Sequence, residues 1–269
     1  MIATLRHSCR SLLEEGTVQV VIGYDAQGHP AFVTSAEQVG RLEFNARCRA
    51  NLTSYLKRRE IRDLGRAAIV VKACDERALV VLEQESQIER AGLHVMGVAC
   101  PGLDEPKCAT CTERTPRFAD QVFGTSTAAT ASPDTALDNL LALSPAERMA
   151  FWKTEFSRCV KCYACRQACP LCYCRRCIAD KNRPTVIDTS ASLYGNYAWH
   201  INRAFHLAGR CVGCDECTRA CPAGIPLRLL NLSLARAAEG EFGYRAGVDP
   251  SLPPLIGSFS ADDQEGFIR

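Results

Sequence analysis

The chain has 269 residues, a formal charge of +2 and seventeen cysteines. This length suits about two domains, the near-neutral charge argues against a dedicated nucleic-acid binder, and no apolar run reaches the roughly 18 residues of a spanning helix. Met1 does not open a basic-then-apolar leader, so the thiols are expected in the reducing cytoplasm, where dense cysteine reads as metal ligation rather than disulfides. Any contact with a membrane is expected to go through a partner.

The first third reads as α/β. Thr17 to Gly23 (TVQVVIG) and Ala31 to Thr34 are expected strands around a turn at Asp25 to Pro30. Arg66 to Lys72 and Leu93 to Ala99 are expected to be buried strands. Between them, Asp75 to Arg90 places Ala78, Leu79, Leu82 and Ile88 on one helical side. Strand, helix, strand predicts a βαβ unit with parallel pairing, hence an α/β domain with a short parallel sheet over residues 1–123.

Cysteines follow both buried strands, Cys74 after IVVKA and Cys100 after VMGVA. Parallel strands bring their carboxyl ends together, and ligands collect outside those ends in open α/β sheets. With Cys108 and Cys111 of CPGLDEPKCATC, the four form a candidate third iron-sulfur site. Zinc is the rival metal, since Cys-x2-Cys serves either, and Cys74 also reads as a small buried hydrophobe at a helix start.

The Thr, Ser and Ala run GTSTAATASP marks a linker at about 124–143. Ser144-Pro145-Ala146-Glu147 is a capping box for a helix to about Ser157, with Met149, Trp152 and Phe156 on one face. A second lead-in helix carries Tyr197, Ile201, Phe205 and Ala208 at helical spacing. Core packing explains these aromatics, and His200 and His206 in the same segment read as surface or core residues.

The two lead-in helices precede the strongest signal. Arg158 to Pro170 reads RCVKCYACRQACP and Arg210 to Pro222 reads RCVGCDECTRACP, the same spacing at an offset of 52. In such a Cys-x2-Cys-x2-Cys-x3-Cys-Pro run, three thiolates hold one cubane and the fourth cysteine ligates the other. Crossed ligation assigns Cys159, Cys162, Cys165 and Cys221 to one 4Fe–4S cluster and Cys211, Cys214, Cys217 and Cys169 to a second. A bacterial-ferredoxin-like domain, α+β or mostly α, is therefore expected over residues 144–238. Asp215 and Glu216 in the second loop predict the lower potential there, and a change at Gly213 is expected to matter less than a change at any ligand.

PLCYCRRC adds Cys172, Cys174 and Cys177 directly after the first motif. They form a candidate fourth cluster or a set of extra ligands, with Cys9 or Cys48 available to complete it. The alternative is free thiols beside Arg175 and Arg176, whose cations would favour oxidation. The tail, 239–269, with Asp249-Pro250, Pro253-Pro254 and the scattered apolar residues Leu252, Leu255, Ile256 and Phe259, is expected to be extended and to dock on a partner.

FWKTEFSRCVKCYACRQACPLCYCRRC and FHLAGRCVGCDECTRACPAGIPL resemble the dicluster region of beta subunits of deazaflavin-dependent hydrogenases and formate dehydrogenases, and of related adaptor subunits of heterodisulfide-reductase-like complexes. IVVKACDERALVVLEQE and HVMGVACPG are similar to the opening domain of the same beta subunits. The resemblance implies an iron-sulfur relay in a cytosolic complex, with a formate dehydrogenase or hydrogenase catalytic subunit and a heterodisulfide-reductase-like flavoprotein as partners. In full-length members it also implies a flavin that exchanges electrons with the deazaflavin. Here only about twelve residues separate Cys111 from the linker, and neither a G-x-G-x-x-G loop nor a P-loop is present, so no residue is assigned to FAD.

Three functions are open from the sequence. The first is a non-catalytic electron-transfer subunit, the second a flavin-bearing reductase acting on a soluble carrier, and the third a zinc-stabilised interaction module. No Ser-His-Asp or paired-carboxylate site is found, so no catalytic residue is assigned.

Overall fold

Five short runs, two of them apolar and buried along their whole length, make the centre of the N-terminal half. In the computed structural model, which describes residues 1–175, 177, 179, 188 and 190–256, helix α1 (Ile2–Glu14) leads into β1 (Val20–Tyr24) and β2 (Pro30–Val33). A short helix, α2 (Arg59–Arg62), precedes β3 (Ala67–Val71), and α3 (Ala73–Gln84) connects it to β4 (Leu93–Val98). A one-turn helix, α4 (Pro106–Ala109), precedes β5 (Gln121–Phe123).

The strands form one mixed sheet in the order β2-β1-β3-β4-β5. β1 and β2 make the expected antiparallel hairpin, Val21 opposite Val33 and Tyr24 opposite Pro30. The β3–α3–β4 crossover is the expected parallel unit, running from Ala67 opposite Leu93 to Val71 opposite Gly97. β5 adds a third parallel pair, Val98 opposite Phe123, that three residues of sequence do not announce. All five residues of β1 and of β3 are buried, as strands covered on both faces require. Leu5, Cys9 and Leu12 of α1 and Leu79 of α3 join the same core.

α3 is shorter than the expected Asp75–Arg90. It stops at Gln84 because Ser86 turns left-handed (φ 55°), letting the Gln87 amide donate to Leu82 and the Ser86 amide to Glu83. This is a Schellman closure. A second revision falls in the stretch read as a linker, where Asp134 caps a helix, α5 (Thr135–Ala142), with Leu137 and Leu140 buried. A Thr/Ser/Ala run conceals the cap that follows it.

From there the regular elements among the described residues are helices. α6 (Pro145–Ser157) starts at the expected capping box, the Ser144 hydroxyl accepting from the Glu147 amide and the Glu147 carboxylate from the Ser144 amide. The one-turn helices α7 (Ala164–Ala168) and α9 (Glu216–Arg219) lie inside the two cysteine motifs, and α8 (Leu193–His206) and α10 (Leu227–Phe242) complete the set. Among the described residues no helix is long and apolar enough to cross a membrane.

The described part of the tail folds back on its own chain. Arg77 of α3 donates to the Ala246 carbonyl (3.1 and 2.7 Å), Gln84 to those of Asp249 and Leu252, and Arg117 to that of Val248. Gly247 (φ 72°) allows this approach, since a Cβ there would lie 2.1 Å from the Arg77 carbonyl oxygen. Phe259 and the closing ADDQEGFIR lie outside the described residues.

Candidate metal centres

The two cysteine motifs share one backbone course. In the first, Lys161 and Tyr163 take left-handed conformations (φ 56° and 59°); in the second, Gly213 and Asp215 do so (φ 70° and 63°) at the corresponding positions. Such alternation turns successive amides inward and makes a concavity for an anion, the geometry of many iron-sulfur sites. The Lys161 amide donates to Cys159 Sγ at 3.4 Å, and the Gly213 amide makes the equivalent bond to Cys211.

Each crossed quartet lines one cavity. Cys159, Cys162, Cys165 and Cys221 surround the first, with Trp199, His200 and Ile225 completing its wall. Cys169, Cys211, Cys214 and Cys217 surround the second, with Leu171, Leu207 and Asn231. The third candidate set also shares a space: Cys74, Cys100, Cys108 and Cys111 line a cavity of about 380 Å³ between the carboxyl ends of β3 and β4 and the helical half. Cys211, Val212, Gly213 and Arg228 line both this cavity and the second motif's.

The chemistry of the donors fits a metal cluster. As bare thiols, burial pushes Cys165 up to about 11 and Cys74 and Cys217 up to about 12, and lifts Cys214 well above the ordinary thiol value. Without a metal these cysteines are neutral thiols, and a bound metal is what would deprotonate them at neutral pH. Polar groups are aimed at the sulfurs: His200 Nε2 lies 3.3 Å from Cys159 Sγ, and Asn231 Nδ2 donates to Cys217 Sγ at 3.6 Å. Among the described residues no three His, Cys, Asp or Glu side chains are spaced to hold a single ion.

The helix before the second motif faces its neighbours differently from its apolar pattern. Phe205 is 60% exposed, whereas Asn196, Trp199, His200, Arg203 and Ala204 are buried. That face is half polar because it serves the first motif, with Asn196 donating to the carbonyls of Phe156 (3.1 Å) and Cys159 (2.7 Å), and Arg203 to that of Cys165 (3.1 Å). His200 stacks on Phe156 at 4.5 Å, and burial, then the charges of Arg203 and Lys161, hold its imidazole down at about 3, so it is neutral. In the first lead-in helix, Trp152 and Phe156 are buried as expected, while Met149 is exposed.

The three extra cysteines separate. Cys172 packs with Cys169, Cys211 and Cys214, Cys177 with Cys159, Cys165 and Cys221, and Cys174 is exposed. Arg176 lies outside the described residues. Neither Cys9 nor Cys48 lines any of these cavities. Both are in the core of the sheet, Cys9 Sγ 3.5 Å from Met96 Sδ and Cys48 Sγ accepting from the Asn45 amide at 3.3 Å.

Buried polar groups fasten the sheet half to the motifs. Lys57 donates to the carbonyls of Cys169 (2.8 Å), Pro170 (3.4 Å) and Cys172 (3.0 Å). Lys107, beside Cys108, donates to the Cys214 carbonyl at 2.9 Å, and Arg228 pairs with Asp134 at 2.7 Å and reaches Thr110 Oγ1 at 3.2 Å. Beneath the third quartet, Lys72 pairs with Asp75 at 2.7 Å, fully buried, and also bonds Tyr24 and the Ala50 carbonyl. None of these clamps has a sequence signature, because lysines bonded to distant carbonyls follow no local spacing.

No family model matches the chain. Over 106 residues it is 37% identical to the "F420-dependent formate dehydrogenase subunit beta" of Methanocaldococcus jannaschii. Over a stretch of the same length it is 28% identical to the "F420-dependent formate dehydrogenase 1 subunit beta" of Methanococcus maripaludis. In both, the match covers 39% of this chain and 27% of the relative's length. Over that part of its length, the chain is similar to these formate dehydrogenase beta subunits, of which it spans about a quarter.

Proposed function

We propose that the chain is an iron-sulfur electron-transfer subunit of a formate dehydrogenase complex. The observation that carries this reading is that both crossed quartets, assigned by spacing alone, each line one cavity. Bound there, 4Fe–4S clusters supply one-electron transfer. The residues of this chain hold the ligands, turn amides toward the sulfurs at Cys159 and Cys211, and exclude water with Trp199, Leu171 and Leu207.

The third quartet extends the path. The lining shared at Cys211 supports a relay from the sheet domain through the buried second centre to the first centre, where Cys162 is exposed. The donor is then a formate dehydrogenase catalytic subunit, or in a variant complex a hydrogenase, and the acceptor a heterodisulfide-reductase-like flavoprotein. The size of the third cavity, within the range of small-molecule sites, favours a second reading in which a flavin shares that space and the chain reduces a soluble carrier itself.

Iron, acid-labile sulfide, zinc and flavin per chain, measured on anaerobically purified protein, test both. About twelve iron and as much sulfide, three cubanes, is expected. About eight would confine the clusters to the doubled motif and leave Cys74, Cys100, Cys108 and Cys111 without one. Stoichiometric flavin would move the reading to the reductase, and a colourless protein with zinc and no sulfide would overturn it in favour of an interaction module.

A further inference from the structure

Arg203 lies where a cation needs a reason to be. It is 6% exposed on the inner face of α8, with its guanidinium 6.0 Å above the Trp199 ring. Nη2 donates to the Cys165 carbonyl, and Nε has no hydrogen-bond partner. A guanidinium does not give up its proton in a protein, and an ion taken out of water without an opposing charge is among the costliest groups a fold can bury. Negative charge must therefore stand beside it.

No carboxylate among the described residues supplies that charge. The groups whose charge acts most on Arg203 are Cys172, Cys169, Cys165 and Cys217. Cys165 lines the first motif's cavity, and Cys169 and Cys217 line the second's. Arg203, which lines neither cavity itself, thus lies beside cysteines of both quartets and beside Cys172, which packs with Cys169, Cys211 and Cys214. The buried arginine that does line the second cavity, Arg228, already has a carboxylate in Asp134.

We propose that Arg203 is the counter-ion shared by the two centres of the doubled motif, holding the reduction potential of both above what their thiolate ligands alone would set. The inference rests on the cluster reading above. Reduction adds one negative charge to a centre and breaks no bond, so a fixed cation beside it stabilises the reduced form. Burial leaves that effect little screened by salt. Because one charge acts on cysteines of both quartets, its loss moves both centres in the same direction.

The test is an EPR-monitored redox titration of the full chain, purified anaerobically, for the wild type, R203Q and R203K. With R203Q, both midpoints are expected to fall by at least a tenfold change in the reduction equilibrium, about 59 mV for one electron, at unchanged iron per chain. R203K, which keeps the charge, is expected to stay within about threefold of the wild type, about 28 mV. Unmoved midpoints in R203Q, or movement of one centre alone, would overturn the proposal. If R203Q loses its clusters, R203K decides: midpoints near the wild type support the charge, and a tenfold fall despite the retained charge overturns it. A wild type without the eight or so irons of two cubanes would sink the cluster reading and this inference together. Intact centres indifferent to the charge at position 203 sink this inference alone.

Discussion

The two cysteine loops have one spacing and one backbone course but opposite surroundings. Val160 in the first is 66% exposed; Val212, its counterpart 52 positions on, is 5% exposed. Cys162 is exposed, while its counterpart Cys214 is buried against Ala78, Val81 and Leu82 of α3 and Tyr244 and Ala246 of the returning tail. The repeat dictates how each loop turns; whatever packs over it decides who can reach it. A single motif thus yields an interior site and an outward one, which is the asymmetry a relay requires.

The largest effect expected tests whether the loops are crossed. Cys221 belongs to the second motif yet lines the first cavity, so Cys221→Ser should remove about four irons per chain and abolish the outward centre. Iron analysis with EPR reads this, and loss of the interior centre instead would show each motif serving its own cluster. Next comes the contrast in burial. Val212→Asp places a charge in an apolar pocket and should cost roughly 3 kcal/mol or more, whereas Val160→Asp should stay within about 0.5 kcal/mol. Urea unfolding of the two variants measures the difference, and equal costs would erase the asymmetry. Lys57 is the clamp that holds the Cys169–Cys172 turn to the sheet half by three carbonyls. Lys57→Met should cost about 2 kcal/mol, as expected for bonds from a charged donor, and leave the outward centre's EPR signal unchanged.

Much of this arrangement was legible beforehand, and the failures have a common cause. The βαβ unit, the hairpin and the Ser144 cap came from period and capping chemistry, which are local. The quartets come from spacing, and the structure sets each of them around one cavity. α1 left a readable trace in Leu5, Cys9 and Leu12 at helical spacing, and α5 in Asp134 followed by Leu137 and Leu140. Both were hidden by weak flanking composition. α8 was misread for a deeper reason. Its buried face carries Asn196, His200 and Arg203, and polar residues are buried only where distant partners satisfy them. Those partners are the carbonyls and sulfurs of a loop some forty residues away, which no periodicity reveals.

The smallest effect separates backbone geometry from ligation. Gly213 and Lys161 occupy the same left-handed position, but only Lys161 has compensation, its Nζ bonding the carbonyls of Ser190 (2.8 Å) and Gly195 (2.9 Å). A Cβ on Gly213 would sit 3.2 Å from Leu232 Cδ2, close but against a movable side chain. Gly213→Ala should therefore cost roughly 1 kcal/mol, the left-handed penalty for a residue with a Cβ, and keep its full iron. The measurement is thermal or urea unfolding beside iron content. A variant that lost iron at this small energetic cost would mean that the amide concavity, and not the four thiolates alone, holds the cluster in place.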